Sequence, residues 1–221
     1  MSRLATLSAA LGVALFMFTE TAGATPVTIF SDFGPGNSYT SGIGWTVAGQ
    51  AAGGSFQSVA MPFTSSGDYQ LSQIDIALSF ADGTNSAVVT LNSDSSGMPG
   101  GVLMTWNLLN LPAFGNCCVV ETLTPSSPLL LSSGAQYWLV SNPGTSDTHD
   151  AWNFNELGAT GLVMLNNGNG FFIAPHSEMG AFDVLGEAGT EVPEPATALL
   201  TAGGLLWLSR RGTRRSIPRA L

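Results

Sequence analysis

Gln-Ile-Asp-Ile-Ala-Leu-Ser-Phe, residues 73–80, is the stretch that decides the fold class. Its apolar side chains Ile74, Ile76, Leu78 and Phe80 occupy every second position, and the residues between them are smaller or polar. Alternation with a period of two is typical of a β-strand that has one buried and one solvated face. The stretch therefore predicts a single continuous strand.

Short alternating runs, broken by Gly, Asn, Asp, Ser and Pro, continue through the rest of the body. They predict ten further strands, at 27–30, 44–48, 55–63, 87–92, 102–107, 119–123, 136–141, 161–165, 171–174 and 181–185. None carries a helical period. Strands of this length and spacing favour an all-β fold, a single antiparallel β-sandwich over residues 25–191 with jelly-roll or Greek-key connections.

The N-terminus has the three parts of a secretory signal. Arg3 is followed by the apolar stretch 4–18 and then by the small residues Ala22, Gly23 and Ala24. The apolar stretch is shorter than the span of about 20 residues that crosses a bilayer, and it leads into a cleavage-type site. We therefore predict a signal helix within residues 1–24, export by the Sec machinery, and a mature chain that begins near Thr25.

The C-terminus, residues 192–221, has a second tripartite pattern. Pro193, Glu194 and Pro195 disfavour helix and leave an extended segment that a protease could accept. The apolar run 196–208 predicts a hydrophobic, membrane-inserted helix, and basic residues after such a helix stay on the cytoplasmic side. Those basic residues are Arg210, Arg211, Arg214 and Arg215.

This tail resembles the PEP-CTERM sorting signal, which is found on exported proteins of Gram-negative bacteria that make extracellular polysaccharide. The resemblance implies a precursor anchored in the inner membrane by its transmembrane helix and processed by an exosortase, a membrane-embedded cysteine transpeptidase. The mature protein would then be secreted or held at the cell surface. An ordinary C-terminal membrane anchor is the alternative, although the apolar run is short for one.

Basic residues are confined to the two ends of the chain. The six are Arg3, Arg210, Arg211, Arg214, Arg215 and Arg219, so residues 25–209 contain no Lys or Arg, while fourteen of the fifteen acidic residues remain outside the signal peptide. Nucleic-acid binding and phosphate clamps need cations and are therefore excluded for the body. An acidic, weakly charged body can instead attract divalent cations or bind neutral sugars.

Segments 88–103 and 129–140, with the Trp152-Asn153-Phe154 run after them, resemble the choice-of-anchor R domain. That family consists of β-sandwich surface proteins that share a body and exchange their C-terminal anchors. The resemblance implies a fold and a location. It transfers no catalytic motif.

Cys117 and Cys118 are adjacent and are the two cysteines of the chain. Export to an oxidising compartment favours a vicinal disulfide, and such bonds between neighbours can mark a functional loop. Two partly buried thiols on opposite faces of one strand are the alternative, because side chains alternate along a strand. Intermolecular pairing is a third possibility.

Asp94, Asp147 and Asp150 are the candidate ligands for Ca²⁺, provided that they cluster in space. Residues 92–97 resemble the start of a calcium loop, but Leu103 stands where an EF-hand needs a bidentate acid. The 147–150 segment is a second oxygen-rich cluster. An ordinary turn and a solvated loop are the respective alternatives.

No nucleophile elbow, zinc-protease helix or activated-cysteine motif is present. We therefore expect a non-enzymatic protein of the cell envelope or extracellular polysaccharide matrix, with a structural or glycan-binding role and no cofactor unless Ca²⁺ binds. The alternative is a carbohydrate-active hydrolase or lyase on a jelly-roll scaffold, because a glycosidase needs only two carboxylates. Four tryptophans could form a sugar-stacking platform or belong to the core. They are Trp45, Trp106, Trp138 and Trp152.

Overall fold

Antiparallel strands make up the regular structure of the residues that the structure describes. The structure is a computed structural model that describes residues 25–52 and 54–188. The predicted signal peptide, the Pro193–Pro195 motif, the apolar run 196–208 and the arginine cluster lie outside these residues. Within the described part no residue is helical, and hence there is no helix with the length and hydropathy that a membrane crossing needs.

Within residues 25–52 and 54–188, fourteen strands form three sheets. In chain order they are β1 (Val27–Ser31), β2 (Tyr39–Ala48), β3 (Ser58–Thr64), β4 (Tyr69–Ile76), β5 (Leu78–Asp82), β6 (Ser86–Asp94), β7 (Pro99–Leu109), β8 (Glu121–Leu123), β9 (Leu130–Leu131), β10 (Gln136–Pro143), β11 (His149–Asn155), β12 (Met164–Asn166), β13 (Phe171–Ile173) and β14 (Phe182–Ala188). All ten of the further strands predicted from the sequence overlap an observed strand. The all-β prediction is confirmed for the described residues.

The three sheets share one core. The five-stranded sheet has the order β1-β14-β4-β8, with β9 also pairing with β4; the six-stranded sheet is β13-β12-β3-β10-β6-β7; and the three-stranded sheet is β2-β11-β5. The main core cluster draws on all three, for example through Ile74 of β4, Leu139 of β10 and Trp152 of β11. The sheets therefore pack their apolar faces against one another, as the period of two requires.

The strand predicted at 73–80 is in fact two strands. It breaks at Ala77, whose backbone N–H donates to Ala181 and whose carbonyl accepts from Asn153, so β4 joins the five-stranded sheet and β5 the three-stranded one. The expected solvated face is also wrong, because Asp75, Ala77 and Ser79 are all buried. A second small core cluster around Ala77 covers this face. Its other members are Phe33, Tyr39 and Ala181, with Val120 packed against them.

Candidate functional site: a polar groove beside a β-bulge

The candidate site begins with an irregularity in β4. The pairing of β4 with β14 jumps from Gln73 opposite Leu185 to Leu71 opposite Gly186, so Ser72 is an extra residue in β4. A bulge of this kind bends a strand and interrupts its ladder. On the other side of β4, β8 pairs with the residues after the bulge and β9 with those before it. The connection between β8 and β9 therefore leaves the sheet at the bulge.

This departure opens a groove of about 340 Å³ on the five-stranded sheet. The groove is lined by three consecutive β4 residues, five residues of the β8–β9 connection and one β14 residue. They are, in that order, Gln70, Leu71 and Ser72; Thr124, Pro125, Ser126, Ser127 and Pro128; and Glu187. Gln70 and Glu187 are directly opposite each other across the strand pair, so an amide and a carboxylate lie on the same side of the sheet. The Oγ of Ser72 is buried and has no hydrogen-bond partner among the described residues.

The groove presents hydroxyl and amide groups, with a single carboxylate and no cation. Hydroxyls and amides both donate and accept hydrogen bonds, which matches the hydroxyl groups of a neutral sugar. The groove is at the small end of the range for ligand pockets, about 300–1,000 Å³, and could accept one or two sugar rings. An anionic ligand would meet Glu187 and a body whose described residues contain eight aspartates, four glutamates and no Lys or Arg.

The tryptophans do not form an exposed platform. Trp45, Trp138 and Trp152 are buried, at 7%, 0% and 0% exposure, so the core alternative applies to these three. Trp106 is half-buried, packs against the main core, and donates its indole N–H to the carbonyl of Thr124 at 2.7 Å. Trp106 therefore ties the β8–β9 connection, one wall of the groove, to β7.

Asp94 is engaged in the fold at the end of β6. Its Oδ1 accepts hydrogen bonds from the indole of Trp138 (2.8 Å) and the amide of Gln136 (2.9 Å), and its Oδ2 accepts the N–H of Gly97 (3.0 Å). These bonds, that of Trp138 first, hold the pKa of Asp94 below its ordinary value. Asp94 thus closes the β6–β7 turn and anchors β10. Both carboxylate oxygens, which a cation would need as ligands, are used in these hydrogen bonds.

Asp147 lies beyond the opposite end of β6. Its carboxylate accepts hydrogen bonds from Thr145 (2.6 Å) and Thr84 (2.9 Å), which hold its pKa below the ordinary value. Thr84 precedes β6 and Asp94 ends it, and the eight residue steps from Ser86 to Asp94, at about 3.3 Å each, put the two ends of β6 roughly 25 Å apart. Asp94 and Asp147 therefore cannot share a ligand.

Asp150 was predicted as a Ca²⁺ ligand, with a solvated loop as the alternative, but it lies inside β11, the central strand of the three-stranded sheet. It is fully buried, directly opposite Val47 and Phe80, and neither carboxylate oxygen has a partner among the described residues. Burial raises the pKa of Asp150 to about 7.

The predicted Ca²⁺ ligands do not fit a cation site. Asp94 and Asp147 lie at opposite ends of β6, and Asp150 is sealed in the interior. More generally, no three His, Cys, Asp or Glu side chains in the described ranges are arranged to hold a metal ion.

Asp75 and Asp183 are the acids that the fold places face to face. They are directly opposite each other on β4 and β14, the N–H of Asp75 donates to Asp183 (3.1 Å), and both are buried at 5% and 8% exposure. Burial, followed by the nearby charge of Asp75, raises the pKa of Asp183 to about 6. Thr122 and Gln73 donate to Asp75. The pair is thus enclosed and hydrogen-bonded and does not face a cleft.

Asp32 is a further buried acid beside this pair. Its Oδ1 accepts the N–H of Phe182 at 2.8 Å, its Oδ2 has no partner among the described residues, and burial raises its pKa to about 7. The carboxyl group thus caps the start of β14 from within the fold, and it has no contact with the groove.

Cys117 and Cys118 lie in the connection between β7 and β8, and both side chains are exposed. Their Sγ atoms are joined in the structure. The alternative of two partly buried thiols on opposite faces of a strand does not fit, because this segment is not a strand.

The groove residues Gln70, Ser72 and Glu187 were not predicted as site residues. One signal was present in the sequence: apolar Leu71 and Ile74, both core residues, are three positions apart, which breaks the period of two and indicates a bulge. The pairing of β4 with β14 determines which side chains face the bulge, and these two strands are more than 100 residues apart in the sequence.

Comparison with known proteins finds no family model and no curated protein that matches the chain.

Proposed function

We propose that this chain is an exported, surface-sorted protein whose body binds neutral glycan of the cell envelope or polysaccharide matrix and does not turn it over. The body is a single β-sandwich in which the five-stranded and six-stranded sheets are the two main layers. The core cluster supports this arrangement, since it joins β4 and β14 to β3, β6 and β10. Export by the Sec machinery and exosortase processing at Pro193–Pro195 would release the body from the inner membrane.

The observation that carries the proposal is the chemistry of the groove lining. Gln70, Thr124, Ser126 and Ser127 offer neutral hydrogen-bonding groups around a concave surface. A sugar ring can exchange its water hydrogen bonds for these groups without burying an unmatched charge. The body also favours neutral over anionic glycans, because its negative charge repels an anionic ligand.

A hydrolase or lyase on the same scaffold is less well supported. Glycosidases use two carboxyl groups about 5–10 Å apart on either side of the scissile bond. The groove lining contains one carboxylate, Glu187, and the directly opposed pair Asp75 and Asp183 is buried. These observations favour binding without turnover.

Calorimetric titration with neutral oligosaccharides from the host polysaccharide would test the groove. We expect Gln70→Ala and the double variant Ser126→Ala/Ser127→Ala each to weaken binding about tenfold, which is about 1.4 kcal/mol. Gln50→Ala is the matched control, because Gln50 is exposed and is not among the groove-lining residues. Unchanged affinity in both groove variants, or an equal loss in Gln50→Ala, would place the binding site elsewhere.

A further inference from the structure

β7 is the longest strand and forms an open edge of the six-stranded sheet. Eight of its eleven residues pair with β6 on one side; this ladder is regular from Met104 to Leu109, and Leu103 is an extra residue at a bulge. On the other side the strand makes no backbone hydrogen bond to the rest of the described chain. Natural edge strands are usually protected by lysine, internal proline, an inward charge or a β-bulge. β7 has no charged residue, its one proline, Pro99, is the first residue of the strand, and its bulge at Leu103 precedes a regular segment, 104–109. The edge of this regular segment is therefore competent to pair with another strand.

The side chains of β7 alternate between the core and solvent. Met104 is buried in the main core, and Trp106 and Leu108 pack against it. The intervening residues point the other way and are exposed, and they include Leu103 at 39% and Leu109 at 67%. The remaining two exposed residues are Thr105 and Asn107.

This outward row is self-complementary about Trp106. If two β7 strands pair antiparallel with a two-fold axis at Trp106, Thr105 of one copy is opposite Asn107 of the other within the regular segment, and Leu109 is opposite Leu103, the residue at the bulge. Apolar and hydrogen-bonding cross-strand pairs of this kind stabilise a sheet. An axis shifted by one residue to Thr105 would instead put Leu103 opposite Asn107. One register is thus preferred by the side chains.

We propose that two copies of this chain associate through β7 in the register centred on Trp106, which joins their six-stranded sheets into one. The self-complementary row favours a second copy as the occupant, and the uncharged edge does not oppose it. A basic partner strand would need acids along the edge, and residues 99–109 have none. The acidic bodies repel each other elsewhere, whereas an uncharged strand meets an uncharged strand here. The nearest acid of the ladder, Asp94 opposite Pro99, lies outside the paired segment 103–109.

Sedimentation velocity of the full chain in a nonionic detergent, over a concentration series, tests the association. We expect wild type to shift from monomer to dimer, and Thr105→Lys to shift the dissociation constant upward at least tenfold. Thr46→Lys is the matched control, because Thr46 is an exposed threonine on β2, an edge strand of the three-stranded sheet within the described residues. A wild type that stays monomeric, or equal effects of the two lysines, overturns the proposal.

Cross-linking tests the register independently of any loss of folding. In the proposed register the double variant Thr105→Cys/Asn107→Cys places each new thiol opposite one of the partner copy, so oxidation gives a covalent dimer on a nonreducing gel. In the single variant Thr105→Cys the new thiol faces Asn107 of the partner copy. We expect the amount of covalent dimer in this variant to remain at the background level of wild type, which also contains Cys117 and Cys118. Efficient cross-linking of the single variant, or none in the double variant, contradicts the register.

Discussion

Asp150 is expected to make the protein less stable as the pH rises from 5 to 8. Its carboxyl group is fully buried on β11 without a hydrogen-bond partner among the described residues, and burial raises its pKa to about 7. In the unfolded chain the same group titrates near the ordinary value of 3.8. The folded state therefore holds a proton that the unfolded state has already lost, and stability falls through the window between these two values.

The size of the effect follows from the two pKa values. Because one pKa unit corresponds to about 1.4 kcal/mol, Asp150 alone should lower the free energy of unfolding by about 2–3 kcal/mol between pH 5 and pH 8. Asp32 and Asp183, whose pKa values are raised to about 7 and about 6, act in the same direction. The whole protein should therefore be more stable at pH 5 than at pH 8.

Asp150→Asn isolates this contribution. The buried amide has its own cost, but that cost does not depend on pH in this range, so the variant should gain about 2–3 kcal/mol relative to wild type between pH 5 and pH 8. Urea unfolding of residues 25–191 at both pH values measures the difference. Glu156→Gln, which removes an exposed carboxylate, is the control and should keep most of the wild-type pH dependence. A parallel pH dependence in wild type and Asp150→Asn would refute the reasoning.

Three further predictions concern the core, the cysteines and the tail. Trp152→Phe should lower the free energy of unfolding by about 1–3 kcal/mol, because a smaller ring leaves space where the fully buried indole stood and because the carbonyl of Ala181 keeps only the N–H of Ala77; an unchanged urea midpoint would contradict this. Replacing Cys117 and Cys118 by serine should cost less than about 1 kcal/mol, because a bridge between neighbours closes the shortest loop, and a thiol assay on the mature protein should find no free thiol. Alanines at 193–195 should leave the protein unprocessed in the inner membrane on fractionation and immunoblotting, whereas normal surface delivery would exclude the sorting hypothesis.

The period of two was sufficient to predict most strands, because burial of one face imposes it directly on the sequence. β11 was missed because polar residues occupy interior positions on both of its faces, Asp150 on the face of Trp152 and two asparagines on the other. Asn153 and Asn155 are buried on its second face, where the amide of Asn153 donates to Ala77 and Ser79 and that of Asn155 donates to Ala159 and Met179. These asparagines satisfy backbone groups where neighbouring strands break or end, so polar residues stand at interior positions.

The groove was less predictable than the sheets. The apolar spacing of Leu71 and Ile74 indicates a bulge, but Glu187 reaches the groove only through the pairing of β14 with β4. The condition for the Ca²⁺ hypothesis, that the three aspartates cluster in space, is not met for a related reason. Asp147 and Asp150 are close in the sequence and were therefore predicted to be close in space. In the structure the carboxylate of Asp147 is exposed in a loop, whereas that of Asp150 is buried because of its position in β11 and the alternation of side chains along that strand.

The most direct test of the proposed function is to incubate residues 25–191 with the host's own extracellular polysaccharide, and to measure retention and product formation in the same samples. The account predicts that the protein cosediments with the polysaccharide, that Gln70→Ala weakens this retention, and that neither reducing ends nor unsaturated sugar products accumulate above the protein-free control. Release of either product by wild type, with its loss in Glu187→Gln, would contradict the account and show that the groove is a catalytic site.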